Sequence, residues 1–292
     1  MHVLTLLTDP ARADLTEAAL RELSGWGPRS PRWLADGVAL EATLDLLPAD
    51  RWEAWGRWQE RGVDLVLQPA AGRRKKVLLA DMDSTMIQQE CIDELAAHAG
   101  VGEHVAGITA RAMNGELDFA EALRSRVALL ADLPTAVVDT VLSERITLMP
   151  GGSELVATMR AHGAYTALVS GGFTQFTGAV AGRLGFDEHR ANTLAVDGGR
   201  FTGRVLEPVV GREAKVAALR EITAELGLTP RDAIAVGDGA NDLDMLRLAG
   251  TGVALHAKPV VAEQVEVRVN HGDLTALLYL QGYAAADLLR PG

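Results

Sequence analysis

In the stretch VLLADMDSTMIQQE, residues 77–90, two carboxylates stand two positions apart directly after an apolar run. Val77–Ala80 has the composition of a fully buried strand, so Asp81 and Asp83 meet at its mouth. Like charges in a place poor in water repel unless a cation or a shared proton lies between them. The small hydroxyl residues Ser84 and Thr85 that follow suit the capping of a turn or helix start. The stretch reads as a metal and acid/base site or as an acidic helix cap.

Two other stretches end in the same manner. TALV runs into Ser170-Gly171-Gly172, and AIAV runs into Gly237-Asp238-Gly239-Ala240-Asn241-Asp242. Taken singly they are a turn and an Asx-rich loop. In an open α/β sheet, however, ligands bind beyond the carboxyl ends of the strands. If the three strands are neighbours, four acids, a hydroxyl and several glycines converge. Asp238 and Asp242, four apart, share a face if they lie in a first helical turn. Asp81 and Asp83 project the same way if their backbone is extended. Four facing carboxylates suit a hard cation, and magnesium fits, being content with few carboxylates, a carbonyl, waters and a phosphate. Ser170 and the free amides of Gly171 and Gly172 form a backbone nest for phosphate oxygens. Lys215, in GREAKVAAL at the start of a helix, is placed to balance the phosphate charge; alone it reads as a surface lysine.

The elements that must hold these residues follow from periodicity. After residue 76 strands and helices alternate, which predicts a parallel sheet with helices on both faces. Strands are expected at Val77–Ala80, Tyr165–Val169, Ala233–Val236 and Thr251–Ala254. The helical insert from about Met86 to Pro150 is too large for a simple crossover and predicts a small cap. LAVDGGRFTGRV reads as a hairpin turning at Asp197-Gly198-Gly199. The N-terminal stretch 1–72 has a different order, βαββαβ, which is ferredoxin-like. QPAAGRRKK breaks the pattern and sets the expected domain boundary, giving a module over 1–72 and a second domain over 73–292. Arg73-Arg74-Lys75-Lys76 reads as a solvated linker.

Composition narrows the class. Of the 292 residues, 48% are hydrophobic and 23% charged, as in ordinary globular proteins. A net charge of −11 argues against nucleic acid as a partner. The single cysteine, Cys91, excludes a disulfide framework or a zinc site of several thiolates, and its neighbours Ile92 and Leu95 make it a buried structural thiol. No apolar run approaches the roughly 20 residues of a membrane span, and LTLL is too short for a signal peptide. A cytoplasmic location is the expectation.

From Lys76 to Tyr283 the chain resembles the haloacid dehalogenase superfamily. DMDST, the SGG loop, Lys215 and GDGANDLDM occur in that superfamily's order, and E-C-I-D-E, T-A-R-A-M-N-G, DF and LRSRVALL resemble its phosphoserine-hydrolysing branch. The resemblance implies a Rossmann-like α/β core (73–85 and 151–292) with a helical cap (about 86–150) inserted after the first core strand. It implies hydrolysis of O-phospho-L-serine to L-serine and phosphate through an aspartyl-phosphate, with Mg2+. The roles it implies are nucleophile for Asp81 and general acid then base for Asp83. Magnesium would be held by Asp81, the Asp83 carbonyl and Asp238, with Asp242 steadying the shell. Ser170, Gly171, Gly172 and Lys215 would clamp the phosphoryl group, and Asn241 would contact phosphate or substrate. Glu90 would meet the substrate ammonium and Arg126 its carboxylate, while Met113 and Phe119 close an apolar lid. Cys91 stands where some relatives carry Thr. The stretch 1–72 resembles loosely the amino-acid-binding (ACT-like) regulatory modules often attached to such enzymes, which implies a homodimer through that module. Other readings are a phosphatase or phosphomutase for a different small ester, and an amino-acid sensor with a retired catalytic domain.

Overall fold

The computed structural model describes residues 1–290. Its N-terminal part runs β1 (His2–Thr8), α1 (Ala18–Glu22), β2 (Arg29–Ala35), β3 (Ala39–Leu44), α2 (Arg51–Gln59) and β4 (Val63–Pro69). The strands form an antiparallel sheet in the order β2-β3-β1-β4, the ferredoxin-like arrangement expected from the sequence. A tight turn at Asp36-Gly37 joins β2 to β3, with Gly37 at φ +70°. The first helix is shorter than the run LTEAALREL suggests: it starts only at Ala18 and passes after Glu22 into a 3-10 turn at Ser24–Trp26 that ends on Gly27 in the left-handed region.

The remainder begins at β5 (Val77–Ala80). Four helices follow: α3 (Cys91–His98), α4 (Gly102–Met113), α5 (Phe119–Ala128) and α6 (Val137–Glu144). These are the expected cap. Next come α7 (Gly152–Ala161), β6 (Tyr165–Phe173), α8 (Thr174–Leu184) and β7 (Glu188–Asn192), then the hairpin β8 (Leu194–Asp197) and β9 (Arg200–Val205). The chain closes with α9 (Arg212–Glu225), β10 (Ala233–Gly237), α10 (Leu243–Leu248), β11 (Thr251–Leu255), α11 (Pro259–Ala262), β12 (Val267–Val269) and α12 (Ala276–Leu280). Six strands pair in parallel in the order β12-β11-β10-β5-β6-β7. β5 is central, so its neighbours are the two other strands that end in polar loops. Chain progression reverses direction between β5 and β10, which places a crevice at their carboxyl ends.

Alternate residues of each core strand enter different cores. Leu78, Ala80, Leu168, Ile234 and Val253 pack with α7, α8 and α12 on one face. Val77, Leu79, Val169, Ala235 and Ala254 pack with α9, α10 and α11 on the other. Each fully buried Leu or Val contributes about 1.5–3 kcal/mol, and burial on both faces explains the unbroken apolar runs. The sequence did not announce β7 and β12. EHRAN is a polar, half-exposed edge strand and VRV has three residues, so neither leaves a periodic signal.

The basic segment is not a solvated linker. Arg73 pairs with Glu41 through Nη1 to Oε2 at 2.7 Å, Arg74 stacks on Tyr283 at 4.0 Å, and Lys75 Nζ donates to the Arg231 carbonyl at 2.8 Å. Spacing cannot reveal such partners, because all three lie far from the segment in sequence. The N-terminal sheet is also fixed from its far edge. Asp64 on β4 is fully buried and accepts from the amides of Asn270, His271 and Gly272, each at 2.9 Å, and from Gln59 Nε2 at 3.1 Å. Asp64→Ala is therefore expected to cost about 3 kcal/mol or more in urea unfolding, because three backbone amides, that of Gly272 fully buried, lose their acceptor. An unchanged midpoint would remove this anchor from the account.

Candidate active site

The polar strand ends meet as the sequence suggested, but by different local geometry. Asp81 is the first residue beyond β5, and its Oδ1 accepts from the Met82 amide at 2.7 Å. Beyond it the backbone is not extended. The Met82 carbonyl receives the amides of Thr85, Met86 and Ile87, so Asp83 sits inside a compact turn with Ser84 at φ +53°. Asp83 Oδ1 accepts from the Cys91 amide at 2.8 Å and Oδ2 from Ser170 Oγ at 3.3 Å. Asp238 and Asp242 likewise do not share a helical turn. Asp242 closes a 3-10 turn, and its Oδ2 accepts from the Gly239 amide at 3.1 Å.

Asp81, Asp238 and Asp242 each offer a carboxylate oxygen within 4.8 Å of the others, all buried. The Asp83 side chain is outside that group, engaged by Cys91 and Ser170. Lys215, on the first turn of α9 and with no exposed surface, bridges Asp81 Oδ1 at 2.8 Å and Asp242 Oδ1 at 2.6 Å. Burial works against its ammonium, yet Asp242 and Asp81 outweigh that and hold its pKa above the ordinary lysine value. Asp238 Oδ1 receives only Thr85 Oγ1 at 3.3 Å, and its buried Oδ2 has no hydrogen-bond partner. The ammonium of Lys258 stands 4.0 Å from that oxygen. Burial first, then the charges of Asp242 and Asp81, push the Asp238 pKa well above the carboxylate range. An orphaned buried carboxylate oxygen beside two other carboxylates is a site made for a divalent cation.

Asp83 differs in its surroundings. Burial raises its pKa to about 6, opposed by the Cys91 amide and reinforced by the charge of Asp81. Two neighbouring carboxyls, one salt-bridged to lysine and one pushed toward neutrality, can divide the roles of nucleophile and proton donor.

Ser170 continues β6 into the glycines. Its Oγ accepts the Gly172 amide at 2.9 Å, so that amide is not free as expected, and the Gly171 carbonyl is held by Asn192 Nδ2 at 2.8 Å. Glycine is required here by close approach. A Cβ on Gly172 would lie 2.5 Å from Asp83 Oδ2, and one on Gly171 would lie 2.6 Å from the Phe119 ring. The same contacts place the two residues expected to close a lid: Phe119 rests on the glycine loop and Met113 Sδ approaches Gly239.

Under the lid lies a small cavity of about 20 Å³, room for one water. Its walls hold Asp81, Asp83, Glu90, Met113, Phe119, Arg126, Ser170, Gly171, Gly172 and Asn241, together with Ile92, Leu123 and Phe173. Lys215, Asp238 and Asp242 stand behind Asp81. Glu90 takes a 2.6 Å hydrogen bond from Ser84, and burial, followed by the Asp83 charge, raises its pKa well above the usual range. Arg126 is buried rather than an exposed helix charge, and burial lowers its pKa against the attraction of Glu90. Asn241 Oδ1 is buried without a partner. Phe119 separates the cavity from an open cleft of about 460 Å³ between residues 112–120 and 209–214. Cys91 is buried, and burial raises its thiol pKa well above the ordinary value, as suits a structural role. Sequence reasoning quoted Thr85, Asp93 and Thr109 inside its motifs without giving them partners, and it passed over Asn192 and Lys258. Each acts through a residue on another element of the fold, so spacing along the chain does not reveal the contact.

A doubly wound parallel sheet with a carboxylate centre at its switch point and a helical cap above defines a capped α/β fold with a cluster of acids at its crevice. The chain belongs to the haloacid dehalogenase-like hydrolase family, whose model matches residues 78–247. A phosphoserine phosphatase of Streptomyces coelicolor is 48% identical over 229 residues, covering 78% of this chain and 56% of that one. This chain thus spans little more than half the length of that relative. A solved HAD family hydrolase from Salmonella enterica serovar Typhi superposes with a TM-score of 0.84 at 30% identity, covering 96% of this chain and 98% of the other. A phospho-aspartyl intermediate analogue of phosphoserine phosphatase superposes with a TM-score of 0.68 at 40% identity, covering 70% and 98%.

Proposed function

We propose that the chain hydrolyses O-phospho-L-serine to L-serine and phosphate through an aspartyl-phosphate on Asp81. The observation that carries this reading is the cavity that joins Asp81 and Asp83 to one buried cation, Arg126, and one half-buried acid, Glu90. A phosphorylated amino acid needs all of these: a nucleophile, a proton donor, and partners for a carboxylate and an ammonium.

Asp81 attacks phosphorus, and the P–O bond to serine breaks as Asp83 delivers its proton to the leaving oxygen. Asp83, now ionised, takes a proton from the water that attacks the acyl phosphate, and phosphate leaves with Asp81 regenerated. Lys215 and the glycine loop hold the phosphoryl oxygens, where positioning and charge dominate phosphoryl transfer. Asp81, Asp238 and Asp242, with the Asp83 carbonyl, would hold Mg2+, which supplies positive charge against the transferring group. The cavity is far smaller than phosphoserine, so the cap lifts to admit substrate, with Phe119 leaving the glycine loop. The division into a module over 1–72 and a phosphatase domain over 73–292, a cytoplasmic setting and a homodimer through the module complete the proposal.

The test is substrate choice. Arg126→Lys is expected to lower kcat/KM for phosphoserine by about 2 kcal/mol, since lysine cannot form a two-pronged pairing with a carboxylate. Hydrolysis of a phosphate ester without a carboxylate should fall far less. Equal losses on both substrates would remove the basis for the phosphoserine assignment while sparing the phosphatase one.

A further inference from the structure

Arg126 reaches the cavity on a long, flexible side chain, and a guanidinium that reads a carboxylate must be held in one orientation. Two contacts hold it. Nε donates to the Ala122 carbonyl at 3.1 Å and Nη1 donates to Thr109 Oγ1 at 2.9 Å. Arg126 and Thr109 are 2% and 3% exposed, so water does not substitute for these partners. Arginine has no acceptor and a threonine hydroxyl has one proton, so Thr109 accepts from Arg126 and must give its proton elsewhere. Asp93 Oδ1 takes it at 2.6 Å, with the Val105 carbonyl a longer alternative at 3.1 Å. The donors therefore run one way, from Arg126 through Thr109 to Asp93.

Two consequences bear on specificity. With Nε occupied by a helix carbonyl, the side-on pairing through Nε and Nη2 is closed, and the second Nη1 proton and both Nη2 protons are left for a carboxylate. Among the described residues no acidic side chain lies within 4.0 Å of the guanidinium, so its charge is not consumed. A direct Arg126–Asp93 pair would orient the group and neutralise it together. The intervening hydroxyl orients it and leaves the charge for a ligand. The three residues lie on α3, α4 and α5, so the contact also ties three cap helices.

Resting on the phosphoserine reading of this site, we propose that Thr109 and Asp93 are positioning residues for substrate selection. They lock Arg126 with its remaining Nη protons toward the substrate carboxylate and so set the preference for amino-acid phosphates over esters lacking that group.

The experiment is steady-state kinetics of the full chain with O-phospho-L-serine and with para-nitrophenyl phosphate. The readout is the ratio of the two kcat/KM values. Thr109→Val and Thr109→Ala should each lower that ratio by about tenfold or more, mostly through a higher KM for phosphoserine, the size of one charged hydrogen bond. Asp93→Leu should lower it by roughly threefold or more, because the Thr109 proton then turns to Val105. Thr109→Ser and Asp93→Asn keep a hydroxyl and an acceptor oxygen, and should restore the ratio. Variants that slow both substrates together, that leave the ratio unchanged, or that serine and asparagine fail to rescue would overturn the proposal. The wild-type arm separates the two readings. A wild-type chain with no preference for phosphoserine sinks the functional assignment and this proposal with it. A wild-type preference that survives all the variants sinks the proposal alone.

Discussion

Asp81→Asn is expected to abolish turnover, lowering kcat by a factor on the order of 10⁵ or more, while the protein stays folded. The carboxamide has the shape of the carboxylate but is a poor nucleophile, so the first half-reaction has no path. Folding should survive because Lys215 keeps its second partner, Asp242, at 2.6 Å, and no buried ammonium is left alone. Melting followed by circular dichroism checks the fold, and phosphate release checks the activity. Rapid acid quench of the wild-type protein during turnover, followed by mass spectrometry, should find phosphate on Asp81. Phosphate found on Asp83 or Ser170 instead would overturn the assignment of roles.

Removing divalent metal should have an effect of comparable size. Activity is expected to vanish in a chelator and to return with magnesium. Calcium should inhibit, because its larger and more flexible shell does not hold the octahedral geometry of an in-line displacement. Stability gives a second readout that does not depend on catalysis. Asp81, Asp238 and Asp242 crowd three buried carboxylates within 4.8 Å, with Asp238 Oδ2 lacking a hydrogen bond. A cation bound there stabilises the folded state by about 2.7 kcal/mol at a hundredfold excess over its Kd. Thermal melting with and without magnesium should therefore differ by several degrees, and Asp238→Asn should shrink the difference. Full activity in calcium alone, or in excess chelator, would count decisively against this centre.

Much of this is legible without coordinates. An apolar run of four residues ending in an acid reads as a buried parallel strand with a polar mouth, and β5, β6, β10 and β11 all appear where the periodicity puts them. The βαββαβ order over 1–72 likewise needs only alternation and turn residues. The residues around the cavity are also named by motif and position, because a reacting centre demands particular side-chain types whatever surrounds them. The local geometry is less accessible. Spacing alone suggests extended backbone for Asp81 and Asp83, and one helical turn for Asp238 and Asp242. In the fold, a turn built on the Met82 carbonyl and a 3-10 turn at Ala240–Asp242 bring them together instead.

By itself, then, the sequence determined which side chains are candidates for chemistry and which strands end in polar loops, since both depend on residue type and on short-range periodicity; that those strands are neighbours is decided by the fold. Only the tertiary structure decided how those side chains are held and charged. Asp83 is pushed toward neutrality by burial, Lys215 is kept charged by carboxylates that flank it, and Arg126 is aimed by a hydroxyl on another helix. Each of these depends on desolvation and on partners brought in from other elements of the fold. A linear pattern contains neither quantity. For the same reason the basic segment at 73–76 reads as solvated in the sequence and is pinned in the fold, its partners Glu41, Tyr283 and Arg231 being adjacent only once the two sheets have packed.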